Sequence, residues 1–449
     1  MSTIEKHDMT QGKILLPLVS FTIPLVLGNL FQLTYNAADS VIVGKYVGEQ
    51  ALAAVGTSTP IMNIAILLIS GMCMGASVLM SSQYGAKDYD TLSRQISTTM
   101  LAGCGFSVVF SLLMLLLANP VLRLIRVPET AIPEAAAYLR IIFMGLIFTF
   151  MYNFLANTMR ALGDSKTPLY FLVTSAFLNI FGDLFFVVVL RWGVAGSAIA
   201  TVCSEGLCCL LCGIYIKKKI PLLCLGKKWW VFDKSLLGKT VSYGSTSAMQ
   251  QVCLQLGKLI IQSVVNTQGV AVMAAFTAVN RVDDFAYTPQ QNIGHAMTTF
   301  LAQNKGAGHK ERMKKGFQTG LLIELVYSIG LFCVIWGLAP QIMTLFAEDG
   351  DAQVVSLGIS YLHLISWMYI LPGLTNGVQG FFRGIGDLKV TLYSTFMNMF
   401  GRVVAVFVMI SLLQMEFASL AWANMVGWIV MLLFEVPLLV KSMRNGECG

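Results

Sequence analysis

Apolar runs of about 20 residues recur along the chain, the length of a helix that crosses a bilayer. They predict about twelve spans, near 14–38, 51–81, 96–118, 134–157, 168–190, 193–216, 240–265, 271–303, 316–339, 355–381, 390–413 and 417–440. The expected fold class is an all-α membrane protein. Connections between runs are short, about 30 residues at most, which leaves no room for a soluble catalytic domain. The polar N-terminus, with Glu5, Lys6, His7 and Asp8, and the lack of a small-residue cleavage site after the first run, predict that the first span stays as a helix.

The pattern repeats. Arg160-Ala-Leu-Gly163-Asp164-Ser-Lys166 is echoed by Arg383-Gly-Ile-Gly386-Asp387-Leu-Lys389. Each box is followed by Tyr (Tyr170, Tyr393) and by a tag, Asn179-Ile-Phe-Gly-Asp183 or Asn398-Met-Phe-Gly-Arg402, with box-to-tag spacings that differ by about one helical turn. Gly12-Lys13 matches Gly238-Lys239. Ala195-Gly-Ser-Ala198 matches Ala418-Ser-Leu-Ala421, and Gln83-Tyr-Gly85-Ala86 has a looser echo in Gln303-Asn-Lys-Gly306-Ala307. The chain therefore reads as two pseudo-symmetric six-helix lobes, 1–216 and 240–449, joined by a basic linker, 217–239. An even number of spans per lobe gives both the same orientation and predicts a cleft between them. The change from Asp183 to Arg402 implies that the lobes share a fold and not a chemical role.

Composition agrees with the pattern. Mean hydropathy is +0.71 and only 12% of residues are charged, which excludes a soluble globular class. Most of the Lys and Arg fall in loops on one side, densest at Lys217-Lys218-Lys219 and from Lys305 to Lys315. The positive-inside rule then places both termini in the cytoplasm. The same rule accounts for the net charge of +7 without a nucleic-acid partner. Cys203, Cys208, Cys209 and Cys212 cluster in the sixth span with no His nearby, and are read as small buried filler rather than metal ligands. The four His, at 7, 295, 309 and 363, form no paired ligand set, and no phosphate-binding loop or HExxH occurs. An enzyme is therefore not expected, nor is a cofactor, and transport would draw on an ion gradient.

Charged side chains inside spans are costly and mark candidate sites. The acids are Asp39, Asp183, Glu205, Asp283, Asp284, Glu324 and Glu435; the bases are Arg140, Lys258, Arg281 and Arg402. Asn179 and Asp183 share a helix face. With Asp39 and Thr201 they make two carboxylates, a carboxamide and a hydroxyl, a set suited to a hard cation such as Na+ or to a shared proton. The alternative is that Asp183 only braces neighbouring helices. Arg281, Asp283 and Asp284 either neutralise one another or line a cavity in the second lobe. Glu205, Glu324, Glu435 and Arg140 are read as packing or interfacial partners. Among the helix breakers, Pro24 is the candidate hinge, because Asp39 lies beyond it on the same helix.

Over nearly its full length the chain resembles the multidrug and toxic compound extrusion (MATE) transporters. The resemblance rests on Asn36-Ala-Ala-Asp39-Ser-Val-Ile-Val-Gly44 with Pro24 upstream, on Gln83-Tyr-Gly85-Ala86, on Arg160-Ala-Leu-Gly-Asp164, and on Asn179-x-x-x-Asp183 with Thr201. It implies two six-helix bundles that open alternately to either side, exporting amphipathic, often cationic compounds in exchange for H+ or Na+. The pattern favours the DinF-like branch, whose cation site of Asp39, Asn179, Asp183 and Thr201 lies in the N-terminal lobe, with no metal beyond Na+ there. The expected setting is a monomer in the bacterial plasma membrane, its partners the lipid bilayer and a small amphipathic substrate. A lipid-linked sugar flippase of the same superfamily is the alternative.

Overall fold

The computed structural model describes residues 8–125, 127–129, 131–220, 230–346, 352–411 and 417–444. Positions 221–229 of the basic linker lie outside the described residues, as do the side chains at 36–38, 40, 49–53, 346 and 411. Fourteen α-helices follow one another with no strand among the described residues: α1 (Leu15–Tyr46), α2 (Glu49–Gly85), α3 (Tyr89–Leu124), α4 (Ile132–Met144), α5 (Leu146–Ala161), α6 (Lys166–Asp183), α7 (Gly193–Lys219), α8 (Lys234–Val265), α9 (Val270–Gly306), α10 (Lys310–Phe346), α11 (Ala352–Ser366), α12 (Ile370–Gly384), α13 (Leu388–Ser411) and α14 (Ala418–Arg444).

Each expected span corresponds to one rod, and two of the rods are broken. The fourth span divides into α4 and α5, bent by 47° at Gly145. A side chain at Gly145 would run into Val202 of α7, so the bend and the glycine both serve that close approach. The tenth span divides into α11 and α12 around the 3-10 turn Trp367–Tyr369. Nine helices, or ten with the bent pair, are long and apolar enough to cross a membrane among the described residues. Helices α8 and α9 fall short. They carry Gln250, Gln251, Gln255 and Lys258, and Arg281, Asp283, Asp284, Gln290 and Gln291, respectively. Much of the remaining apolar surface points outward, such as Leu112 and Leu116 on α3, Phe177 and Phe181 on α6, and Phe396 and Phe400 on α13. In a bilayer that surface meets lipid while backbone polar groups stay satisfied inside the helices.

The chain forms two compact units. The first holds Ile23–Ala248, and the second Met9–Thr22 with Met249–Gly449. Helix α1 thus passes from one unit to the other immediately before Pro24. In the first unit Ile69, Phe143, Phe150, Phe154 and Met159 centre a buried apolar cluster, with Phe150 stacked on Phe154 at 5.8 Å. In the second, Tyr361, Tyr369, Ile365 and Met343 do so.

The repeated box is a helix stop followed by a restart. Gly163 and Gly386 have φ of 88° and 85°, the left-handed conformation glycine adopts without steric cost. The amides of Asp164 and Asp387 then bond back to the carbonyls of Met159 and Phe382, closing the preceding helix. In the first box the Asp164 carboxylate also accepts from the amides of Lys166 and Thr167 at 3.1 and 3.0 Å, which opens α6. Counted from these restarts, α6 and α13 run without interruption through the tags. Arg402 therefore stands one turn nearer its box than Asp183 does, and matches Asn179 in helical register.

Candidate functional site

Helix α6 ends on Asp183, and the backbone then widens into a π-helical turn, Leu184–Val189. The chain turns back through Arg191 and Gly193, with φ of 57° and 59°, into α7. Small residues let the two helices touch. A Cβ on Gly182 would lie 2.9 Å from the Ala200 methyl, and one on Gly196 would lie 3.1 Å from the Phe186 backbone. This close packing brings Ser197 and Thr201 of α7 beside Asn179 and Asp183 of α6.

The contacts assemble all four sequence-expected residues. Asn179 Nδ2 donates to Thr201 Oγ1 at 3.2 Å, and Ser197 Oγ donates to Asp39 Oδ1 at 2.8 Å. Asp183 is fully buried, yet both of its carboxylate oxygens lack a hydrogen-bond partner, as does Asn179 Oδ1. Asp39 stands close enough to repel the Asp183 carboxylate, or to share a hydrogen bond if one of the pair holds a proton. Two ionised carboxylates can only accept, so without a cation between them the pair is left unsatisfied. No basic side chain forms an ion pair here among the described residues. The atoms left unpartnered are all acceptors, and a proton or a bare Na+ is what such a set lacks.

Three further residues join the expected four: Ser197, Glu205 and Tyr138. Ser197, Thr201 and Glu205 follow at intervals of four and line one face of α7. Glu205, read from sequence as a packing residue, accepts a hydrogen bond from Thr149 Oγ1 at 2.5 Å. It lines a cavity with Thr149, Thr201, Met62, Ile66 and Ile142 that is large enough for a water molecule. Tyr138 is buried within electrostatic reach of Asp39, Asp183 and Glu205 together. The four-residue spacing from Ser197 to Glu205 was the available signal for the α7 face; nothing in the sequence marked Tyr138.

In the second unit Asp283, Asp284 and Arg281 take separate positions. Asp283 is buried and accepts from Tyr369 Oη at 2.5 Å and Tyr361 Oη at 3.4 Å. Asn424 Nδ2 in turn donates to Tyr361 Oη at 3.0 Å. Asp284 pairs instead with Lys258 at 3.6 Å on an exposed face, and Arg281 is exposed. Arg402 lies within electrostatic reach of Asp283. In α7, Cys209 and Cys212 stand at CxxC spacing, and both are free thiols. No group of His, Cys, Asp and Glu suited to a metal ion occurs among the described residues.

Comparison with known proteins places this site in a family. The MatE family model matches residues 24–185 and 247–409, one match in each half of the chain. The chain is 32% identical to the probable multidrug resistance protein YpnP of Bacillus subtilis (strain 168), over 87% of this chain and 86% of that protein. It is 23% identical to the probable multidrug resistance protein NorM of Thermotoga maritima, over 92% and 89% of the two chains. A crystal structure of MATE in the bent conformation superposes with a TM-score of 0.91 at 22% identity, covering 99% of this chain and all of that one. Such solved structures share this fold of twelve membrane-spanning helices in two lobes. The chain therefore belongs to the MatE family of multidrug efflux transporters and is a multi-pass membrane protein, not an enzyme.

Proposed function

We propose that the chain exports amphipathic, often cationic compounds by alternating access, in exchange for H+ or Na+ bound at Asp39, Asn179, Asp183 and Thr201. The observation that carries this reading is the buried Asp183 carboxylate, unpartnered on both oxygens and set against Asp39. Ionised and empty, such a pair is strongly disfavoured in a dry interior. Bound to a cation it is neutralised, so ion occupancy biases how α1, α6 and α7 pack. Pro24 supports a role for α1 as the moving element. Its ring removes the backbone bond to Ser20 close to where α1 passes between units. Ion and drug then compete through one helix, which couples their movements without a shared contact point. A membrane potential of about 100 mV contributes about 2.3 kcal/mol per charge moved, enough for one or two ions to drive a substantial gradient. On this reading the protein works as a monomer in the bacterial plasma membrane, with both termini cytoplasmic.

Drug export from inside-out vesicles under separately imposed pH and Na+ gradients tests the reading. Asp39→Asn and Asp183→Asn should each abolish ion-driven export with normal expression; full export in either would remove the site. Pro24→Ala should slow export while ion binding to the two acids persists.

A further inference from the structure

Glu324 lies in the middle of α10, entirely buried, and neither of its carboxylate oxygens has a hydrogen-bond partner. Its surroundings are polar but turned elsewhere. Gln290 Nε2 of α9 donates to the Tyr369 carbonyl at 2.8 Å and to Ser328 Oγ at 3.1 Å, leaving Gln290 Oε1 unpartnered. Ser328 Oγ donates to the Glu324 carbonyl at 2.7 Å, not to its side chain. On α12 the carboxyl lies over Gly373, where an added Cβ would sit 3.4 Å from Glu324 Oε2 and 2.9 Å from Ser328 Oγ.

The other half of the repeat shows what this place looks like without an acid. Setting Gly85-Ala86 against Gly306-Ala307, and Arg160 against Arg383, puts Ile69 opposite Gln290, Gly103 opposite Glu324, Ser107 opposite Ser328 and Phe150 opposite Gly373. In the first unit Ile69 and Phe150 are core residues, and the Phe150 ring fills the space over Gly103. The second unit exchanges large for small. Glu324 occupies the volume over Gly373 that a phenyl ring occupies over Gly103. An apolar filler meets every packing need at this place, so packing does not explain a carboxyl group there.

We propose that Glu324 is a proton-binding site of the second unit, separate from the cation site of the first. The groups facing it leave a proton as the cation that fits. On α10 its titratable neighbour is Tyr327, whose hydroxyl donates to the Ala286 carbonyl. On α9 it meets the neutral Gln290, with Asp283 and Tyr287 one to two turns beyond. In the 3-10 turn before α12 the Tyr369 hydroxyl is committed to Asp283. His363 of α11 packs against Trp336 with the rings tilted, about three turns along α10 from Glu324. No ion pair reaches Glu324 among the described residues. A hard metal cation needs about six oxygens around it, whereas the side-chain oxygens gathered here are the two of Glu324, Gln290 Oε1 and Ser328 Oγ, with Gly373 on the remaining side. A proton needs only one lone pair.

The test is infrared difference spectroscopy of the full-length protein in lipid nanodiscs, titrated in sodium-free buffer, with glutamate isotopically labelled at its carboxyl. The proposal expects the carbonyl stretch of a protonated glutamic acid in dry surroundings near neutral pH. That band should disappear in Glu324→Gln and persist in Asp39→Asn, Asp183→Asn, Glu205→Gln and Glu435→Gln. Persistence of the band in folded Glu324→Gln overturns the proposal. So does its loss from the parent on adding NaCl at constant pH, which would assign the site to Na+. Should Glu324→Gln not fold, absence of any labelled acid band in the parent overturns it as well. None of these readouts requires transport, so the outcome is separate from that of the Asp39 and Asp183 tests.

Discussion

Asp183 and Asp283 are both buried helical carboxylates, one in each unit, and their neighbours differ in kind. Asp283 receives two tyrosine hydroxyls, one of them held in turn by Asn424, and has Arg402 within electrostatic reach. Asp183 receives no donor and faces a second carboxylate. A buried acid whose lone pairs are filled by fixed donors is part of the framework, since anything that bound it would first have to displace them. A buried acid whose lone pairs are empty is complete only with a mobile partner. Burial and charge are common to both residues; the donor census separates them.

The sharpest way to break this contrast is the same substitution in each unit. Asp183→Asn should abolish ion-coupled export and leave thermal stability in detergent close to the parent's, because no donor loses its acceptor. Asp283→Asn should do the reverse. It takes a charged acceptor from Tyr369 and should lower stability by about 1–3 kcal/mol, read as a fall in melting temperature, with the ion dependence of export unchanged. If the two variants behaved alike, the donor census would not distinguish site from framework.

Glu205 sharpens the comparison within the first unit. It has a donor in Thr149 yet lines the cavity beside Thr201. Glu205→Gln should weaken binding of cationic substrates about tenfold, close to 1.4 kcal/mol, while neutral substrates bind as before. Equal loss for both kinds would point to a packing role.

A smaller effect is expected at Arg402. It stands one turn from the position equivalent to Asp183, and Arg402→Ala should not alter the ion requirement of export even if the rate falls. Export assayed with Na+ replaced by choline checks this; a switched requirement would bring the second unit into ion coupling.

The smallest effect lies at the helix starts. Asp88 caps α3 by accepting from the Thr91 amide at 3.1 Å, and bonding to Thr91 holds its carboxyl below the usual carboxylate range. In the other half of the repeat His309 takes that place before α10. A carboxyl held low contributes stability above its unfolded-state range and loses it as pH falls through the folded value. Asp88→Ala should therefore destabilise α3 slightly at neutral pH and not in strong acid. Amide hydrogen exchange at the first turn of α3 would measure it.

The spans were legible because twenty apolar residues in a row leave few alternatives, and Asp39, Asn179, Asp183 and Thr201 because polar groups stand out in such runs. The breaks at Gly145 and Trp367–Tyr369 were not legible, since what demands them is a neighbouring helix, as with Val202 against Gly145. Ser197 and Tyr138 escaped notice for a related reason. Ser and Tyr are ordinary in membrane helices, and only the fold shows which of them meets a carboxylate. The Arg-x-x-Gly-Asp box marked the repeat correctly, but its chemistry is that of a helix stop and restart. The tag alignment of Arg402 with Asp183 compared letters, whereas the uninterrupted helices compare turns.

The π-helical turn after Asp183 makes this stretch sensitive to chain length rather than to side-chain identity. Every residue in a helix sets the azimuth of all that follow by about 100°. Leu184–Val189 holds one residue more than the same rise of α-helix would, a phase shift built into this turn. Deleting any one of those six residues would let ordinary α-helix form and swing Arg191, Gly193 and the start of α7 around the helix axis. Ser197 and Thr201 would then leave Asp39 and Asn179 with no residue at the site itself changed. In this segment the count of residues is itself a functional specification, one that insertions and deletions can violate and substitutions largely cannot.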